Sequence, residues 1–256
     1  MSDDAPRLLQ ATYHSTFRSM STALATASTA GERLDAFQAQ LDALDGTLNG
    51  FRHLTGAAVA CRAGCAFCCC SLRIDARAHE VLNIARHLHA TRSEADLTDL
   101  LAVLHATAEH SRASAPGPAT PLPCALLDDG NCSLYDHRPS SCRRYFSRSA
   151  EACEELWLEG TTDQEIEYPF LAEAGRHAAA GTHNAFVRAD YDGYSYDLTA
   201  ALIEALSDPE CESRWNRKER VFSQSAQSIT PPGFSQDEAV ARLRASLQPP
   251  GAGGEQ

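Results

Sequence analysis

Leu34, Phe37, Leu41, Leu44, Leu48 and Phe51 recur at intervals of 3, 4, 3, 4 and 3 residues. That alternation keeps six apolar side chains on one stripe of an α-helix. Residues 7–27 read as a preceding helix, with Leu8, Leu9, Phe17, Met20 and Leu24 roughly on one face. Together the two segments predict an antiparallel helical hairpin. The stripe is short, which suits packing within the chain better than a coiled coil with a partner. Gly46 and Gly50 weaken its end.

Further along, Leu72-Arg73-Ile74 is a short extended piece, and Asp75 is placed to cap a helix over 76–90 that turns Val81, Ile84, Ala85 and Leu88 inward. Ser93 with Asp96 starts another helix, lined by Leu97, Leu100, Leu101, Leu104 and Ala108. SAPGPATPLP, residues 114–123, is a proline-rich connector. CALLDDGNCSLY then alternates around Asp128 to Asn131 and predicts a small β-hairpin. Helices are expected over 150–159, about 168–189, 196–207 and 209–222, with a candidate helix at 235–247 and a disordered QPPGAGGEQ end. The fold class is mainly α: a helical scaffold around an irregular cysteine-rich centre, with one small β-hairpin. The expected organisation is a helical hairpin over 1–57, a cysteine-cluster metal-binding domain over 58–155, helices over 156–222 that pack on it, and a largely disordered tail over 223–256.

Composition narrows the function classes. At 256 residues the chain can bury a core without cross-links. Its formal net charge of −12 argues against a general nucleic-acid or anionic-membrane binder, since both need a basic footprint. MSDDAPRLLQATYHSTF has no basic start followed by an apolar run, so it does not read as a secretory signal. No stretch approaches the roughly 20 apolar residues of a membrane helix. The expectation is a cytoplasmic protein whose thiols stay reduced, and ten cysteines in that setting lean towards metal.

CRAGCAFCCC, residues 61–70, carries five of those cysteines. Three in a row cannot all pair with one another as disulfides. Cys65 and Cys68 form a C-x2-C bite, and Cys61 lies four residues earlier, within one helical turn. Cys124 and Cys132 flank the hairpin turn, and Cys142 and Cys153 follow. So Cys61, Cys65, Cys68 and Cys69 make one group of four, and Cys124, Cys132, Cys142 and Cys153 another. Four thiolates complete a tetrahedral zinc, and four also complete a [4Fe–4S] cluster. Adjacent side chains on extended backbone point to opposite faces, so the Cys68-Cys69 doublet suits two metals, or two irons of one cluster, better than one ion. Arg62, Arg138, Arg143 and Arg144 lie beside cysteines in sequence and can offset the charge of such a centre. C-x3-C-x2-C with an aromatic before its last cysteine also resembles the radical S-adenosylmethionine motif. A helical hairpin precedes it, however, and no alternation of strands and helices follows to build a barrel.

PCALLDDGNCSLYDHRPSSCRRY, residues 123–145, resembles the signature block of the YkgJ-type cysteine-cluster family, and Cys61, Cys65, Cys68 and Cys69 match its C-x2-C-x2-C-C motif with one extra residue in the first gap. The resemblance covers about residues 58–155 and implies a zinc- or iron-chelating protein, often described as Fe–S-cluster-containing. It implies eight metal-binding cysteines: Cys61, Cys65, Cys68, Cys69, Cys124, Cys132, Cys142 and Cys153. Cys70 and Cys211 fall outside it. Arg138 and Arg143 are placed to pair with thiolates or with a carboxylate such as Asp136, and Tyr135 and Tyr145 to wall the site from water, so Arg138, Arg143 and Tyr145 are the candidate cofactor-contacting residues. The expected cofactor is an iron–sulfur cluster, more than zinc, and the expected partner is that metal ion or cluster. A flagellin lysine methylase is similar to the family in its cysteines, so an Fe–S-dependent redox or methyl-transfer enzyme is the alternative, although no G-x-G turn for a methyl donor is present. No catalytic residue can be named. His137 is the best site-adjacent proton donor, while His177 and His183 read as exposed or packed and the tyrosines Tyr191, Tyr194 and Tyr196 as packing a loop.

Overall fold

The computed structural model describes residues 4–62, 64–71, 73–113 and 123–248. It begins with α1 (Ala5–Thr26) and α2 (Ala30–Thr55), then α3 (Phe67–Ser71), β1 (Asp75–Arg77), α4 (Ala78–Thr91) and α5 (Glu94–Ala113). Next come β2 (Leu127–Asp128), β3 (Asn131–Cys132), α6 (Ser140–Arg143), α7 (Ala150–Glu159) and α8 (Pro169–Arg188). The chain closes with β4 (Ser195–Asp197), α9 (Leu198–Ser207), α10 (Cys211–Asn216) and α11 (Gln236–Leu247). The protein is mainly α, as the periodicity predicts. Residues 114–122 of the proline-rich connector, Leu72, and residues 249–256 of the tail lie outside the described residues.

α2 starts at a capping box in which Thr29 accepts from the Glu32 amide at 3.1 Å and the Glu32 carboxylate takes the Ser28 and Thr29 amides. Its predicted stripe is the buried face: Leu34, Phe37, Leu41, Leu44 and Leu48 are buried and Phe51 is half-buried. Gly46 and Gly50 stay inside the helix on its exposed side. α1 differs from expectation. Leu8 is 41% exposed, and the buried face is Thr12, Thr16, Met20 and Leu24, four residues apart. The threonines are there because α1 runs closely along α8 as well as against α2. A Cβ on Gly181 would lie 2.1 Å from Thr16 Oγ1 and 2.4 Å from the Tyr13 carbonyl oxygen, so only glycine lets these backbones approach.

The main core joins Met20 and Leu24 to the α2 stripe, to Val81, Ile84 and Leu88 of α4, to Phe186 of α8, and to Leu202 and Trp215. Leu126 and Leu134 bring the hairpin region onto the same core.

Three local expectations are corrected. Asp75 is a strand residue, not a cap: β1 pairs antiparallel with β4, Ala76 opposite Tyr196, and α4 starts one turn later with the Glu80 carboxylate on the Arg77 amide at 2.8 Å. The helix expected from 196 starts at Leu198, because Ser195–Asp197 is that strand and the Asp197 carboxylate caps α9 at the Ala200 amide. The helix expected over 209–222 stops at Asn216. Lys218 turns to a φ of 67°, and the chain leaves the helix to bury Val221 and Phe222, whose ring meets Tyr196 at 5.1 Å. Among the described residues no helix is long and apolar enough to cross a membrane.

Candidate metal centre

The cysteine-bearing segments converge because each is tied to another. The loop carrying Cys61 and Cys65 docks on the strand-like piece around Ser147: the Ala60 amide donates to the Ser147 carbonyl at 2.8 Å, and the Ser147 amide donates to Cys61 Sγ at 3.3 Å. The Cys153 thiol donates to the Ser147 hydroxyl at 3.1 Å, and Ser149 caps α7, which carries Cys153. α3 lies against α7, with the Phe67 and Trp157 rings 5.8 Å apart. The Cys124 amide donates to the Cys69 carbonyl at 2.9 Å and so brings the hairpin to α3. The hairpin is the predicted one, β2 to β3, with Leu127 opposite Cys132. Its turn residues Asp129 and Gly130 both take positive φ, as a two-residue hairpin turn requires. Pro139 precedes α6, which presents Cys142.

All eight expected cysteines line one cavity of about 570 Å³. Ile74, Ile84, Leu126, Leu134, Tyr135 and Tyr145 form its apolar wall, and Arg138 also lines it. Cys70 is half-buried outside this lining, and Cys211 is buried on α10 in the main core. All ten cysteines are free thiols.

The local backbone differs from the one the spacing suggests. Cys61 and Cys65 sit on an irregular loop, not on one helical turn, whereas Cys68 and Cys69 sit on α3, not on extended chain. On a helix, successive side chains diverge by about 100°, and the thiols regroup accordingly. Cys61 lies within charge range of Cys68, Cys65 and Cys153, and Cys153 within that of Cys65 and Cys68. Cys69 shares a hydrogen bond with Cys68 and lies within charge range of Cys124 and Cys142, and Cys142 within that of Cys124, Cys68 and Cys132. The neighbours therefore cross the two sequence groups: Cys153 joins the first loop, Cys69 joins the hairpin set, and Cys68 borders both.

Burial holds the thiols of Cys61, Cys124, Cys142 and Cys153 above their ordinary values. Cys68 is the exception. A hydrogen bond shared with Cys69 lowers it to about 7, with Arg138 contributing, and the same bond raises Cys69. A cavity this unfavourable to bare thiolates fits a metal cation, which supplies the missing positive charge and displaces the protons. Arg138 supports that fit: its Nε is buried with no hydrogen-bond partner among the described residues, a donor that a thiolate centre would satisfy. Its guanidinium lies 3.8 Å over the Tyr135 ring. The thiols are not closed into a finished shell, since among the described residues no group of three or more histidine, cysteine or carboxylate side chains stands in metal-holding geometry.

Arg143 lies elsewhere. It is 2% exposed and turns onto α2, where Asp45 takes its guanidinium. The carbonyls of Arg138, at 2.9 Å, and Asp136 accept from its Nε and Nη2. The partner is the Asp45 carboxylate, not that of Asp136, and Arg143 fastens the turn before α6 to the scaffold. Tyr145 lines the cavity, and burial raises its hydroxyl pKa. His137 stacks on His87 at 3.8 Å. His177 is half-buried beside Glu173, and His183 and Tyr196 are buried. Ser147 and Asp45 were not signalled by sequence: neither belongs to a spacing motif, and each matters only through a contact across the fold.

Residues 60–162 match the CxxCxxCC family model, described as "Putative zinc- or iron-chelating domain". The match encloses all eight cavity cysteines and α7. No curated protein and no solved structure matches the chain.

Proposed function

We propose that the CxxCxxCC stretch holds a thiolate-bound iron–sulfur centre arranged as two four-cysteine sets, Cys61, Cys65, Cys68 and Cys153 in one and Cys69, Cys124, Cys132 and Cys142 in the other. The observation that carries this reading is that eight thiols line a single cavity of about 570 Å³. Four sulfurs per set satisfy a [4Fe–4S] cluster. They would satisfy zinc equally in number, but thiolates closed around bare ions need no enclosed volume of this size, whereas a cluster brings its own inorganic sulfide. The centre would supply redox capacity. The chain's own part is to exclude water with Ile74, Ile84, Leu126 and Leu134, to offset charge with Arg138, and to hold the sulfurs in place through Ser147 and the Cys124–Cys69 backbone bond.

The deciding experiment is purification without oxygen, followed by metal and acid-labile sulfide analysis and a visible spectrum on the same sample. Iron and sulfide in comparable amounts with broad visible absorption is the expected result. A colourless protein containing zinc alone would replace the cluster with a pair of tetrahedral zinc sites.

A further inference from the structure

On the other face of α6 lies a second and larger cavity, about 700 Å³, that the cysteine centre does not use. Ser141 borders both. The alternation of β1 sets one wall: Ala76 enters the core while Arg77 lines the cavity, with Asp75 at its exposed edge. Arg77 offers five N–H donors. One is used, at 3.4 Å from the Gly193 carbonyl, and among the described residues no carboxylate forms an ion pair with it.

Three acids lie near Arg77; Asp75 is at the exposed edge, and the two buried ones are already engaged. Glu80 accepts the Ser140 hydroxyl and amide on one oxygen and the Arg77 amide on the other. Asp192 accepts the Tyr196 hydroxyl and the Tyr194 amide. Beside them His183, 7% exposed, lines the cavity with its Nδ1 buried and unpartnered among the described residues. A poorly paired guanidinium and an orphaned ring nitrogen in one cavity are costly unless something answers them. The remaining wall combines apolar side chains, Leu41, Leu44, Val240 and Leu243 among them, with polar ones such as Arg144, Arg176, Asn184 and Gln236.

We propose that this cavity binds a small organic anion, a carboxylate with an apolar body, whose charged end meets Arg77 and His183 and whose body lies against Leu41, Leu44, Val240 and Leu243. The site does not depend on the metal reading, because none of its groups is a cysteine.

The test is calorimetric titration of the full chain with octanoate and, separately, with octylamine, which has the same apolar body and the opposite charge. Saturable binding of octanoate and none of octylamine is expected. Arg77→Met, which keeps volume and removes charge, should weaken octanoate at least about tenfold, the order expected for losing a charge-assisted contact. Ala239→Phe, which adds a ring to the cavity wall without touching a charge, should weaken it as well and decides the matter if the first variant does not fold. Metal content should stay at the wild-type level in both variants, which separates this site from the cysteine centre. Absence of octanoate binding, equal binding of the amine, or unchanged affinity in the folded variants would overturn the proposal.

Discussion

The hydroxyl of Ser147 accepts from the Cys153 thiol, and its amide donates to Cys61 Sγ. One residue thus orients two sulfurs that lie 92 positions apart in sequence, 61 and 153. Partners that orient ligands typically tune metal affinity by about 10- to 100-fold. Ser147→Ala keeps the amide and loses the hydroxyl, so metal affinity should fall within that range while the fold survives, as read by competition with a chelator. Ligands of the proposed two-set centre would behave differently. On that arrangement Cys61→Ser and Cys132→Ser each remove one member of a different four-thiol set, so each should lose about half of the bound metal, on four ligands per centre. Only the double variant should lose it all. Complete loss in either single variant would mean that the eight thiols serve one indivisible centre. That these eight cysteines meet at one place was legible from their spacing, because closely spaced thiols are a local feature of sequence. Ser147, Asp45 and the proposed exchange of Cys69 and Cys153 between sets were not, because they follow from how distant segments dock.

Among the elements, the pairing of α1 with α8 depends on one small residue. A Cβ at Gly181 would fall inside the van der Waals radius of Thr16 Oγ1 and of the Tyr13 carbonyl oxygen, and the latter is backbone that cannot rotate away. Thr16 is itself held by its hydroxyl bond to the Tyr13 carbonyl at 3.0 Å. Gly181→Ala should therefore destabilise the protein by about 1–3 kcal/mol despite alanine's better helix propensity, the usual cost of overfilling a packed contact. Urea unfolding checks it, and a neutral or stabilising result would show that the helices can part without cost. The same contact explains why the α1 stripe misled. Apolar periodicity locates a face that meets side chains, whereas close backbone approach selects threonine and glycine, which carry no hydrophobic signal. The α2 stripe, α5, α7 and the hairpin were readable because each depends on local pattern or capping. The β1–β4 pair was not: three residues per strand give no period of two to read, and the pairing spans more than a hundred residues.

For the molecule as a whole, the buried histidines predict the acid side of its stability. His79 is 3% exposed, stacks on Phe186 at 4.1 Å, and is pulled down to about 3 by burial and then by the charge of Arg77. His183 is lowered well below its ordinary value by burial first, then by Arg77 and His79. In the unfolded chain both titrate near pH 6.5. A base whose folded pKa is depressed binds fewer protons folded than unfolded, so its contribution is present above about pH 6.5 and is lost as pH falls towards the folded value. Each histidine should remove at most about 1.4 kcal/mol per pH unit below that point. Urea unfolding should therefore show a steep loss between about pH 6.5 and pH 4. A His79→Gln, His183→Gln pair should be less stable at neutral pH, for loss of stacking, yet flatter in its acid limb. The comparison of slopes is what matters, because a purely structural role for the rings would lower the whole curve without changing its shape. An anion seated on Arg77 would screen the same charge that helps keep both rings neutral, so octanoate should make the acid limb shallower in the wild-type protein and leave the slope of that limb unchanged in the double variant.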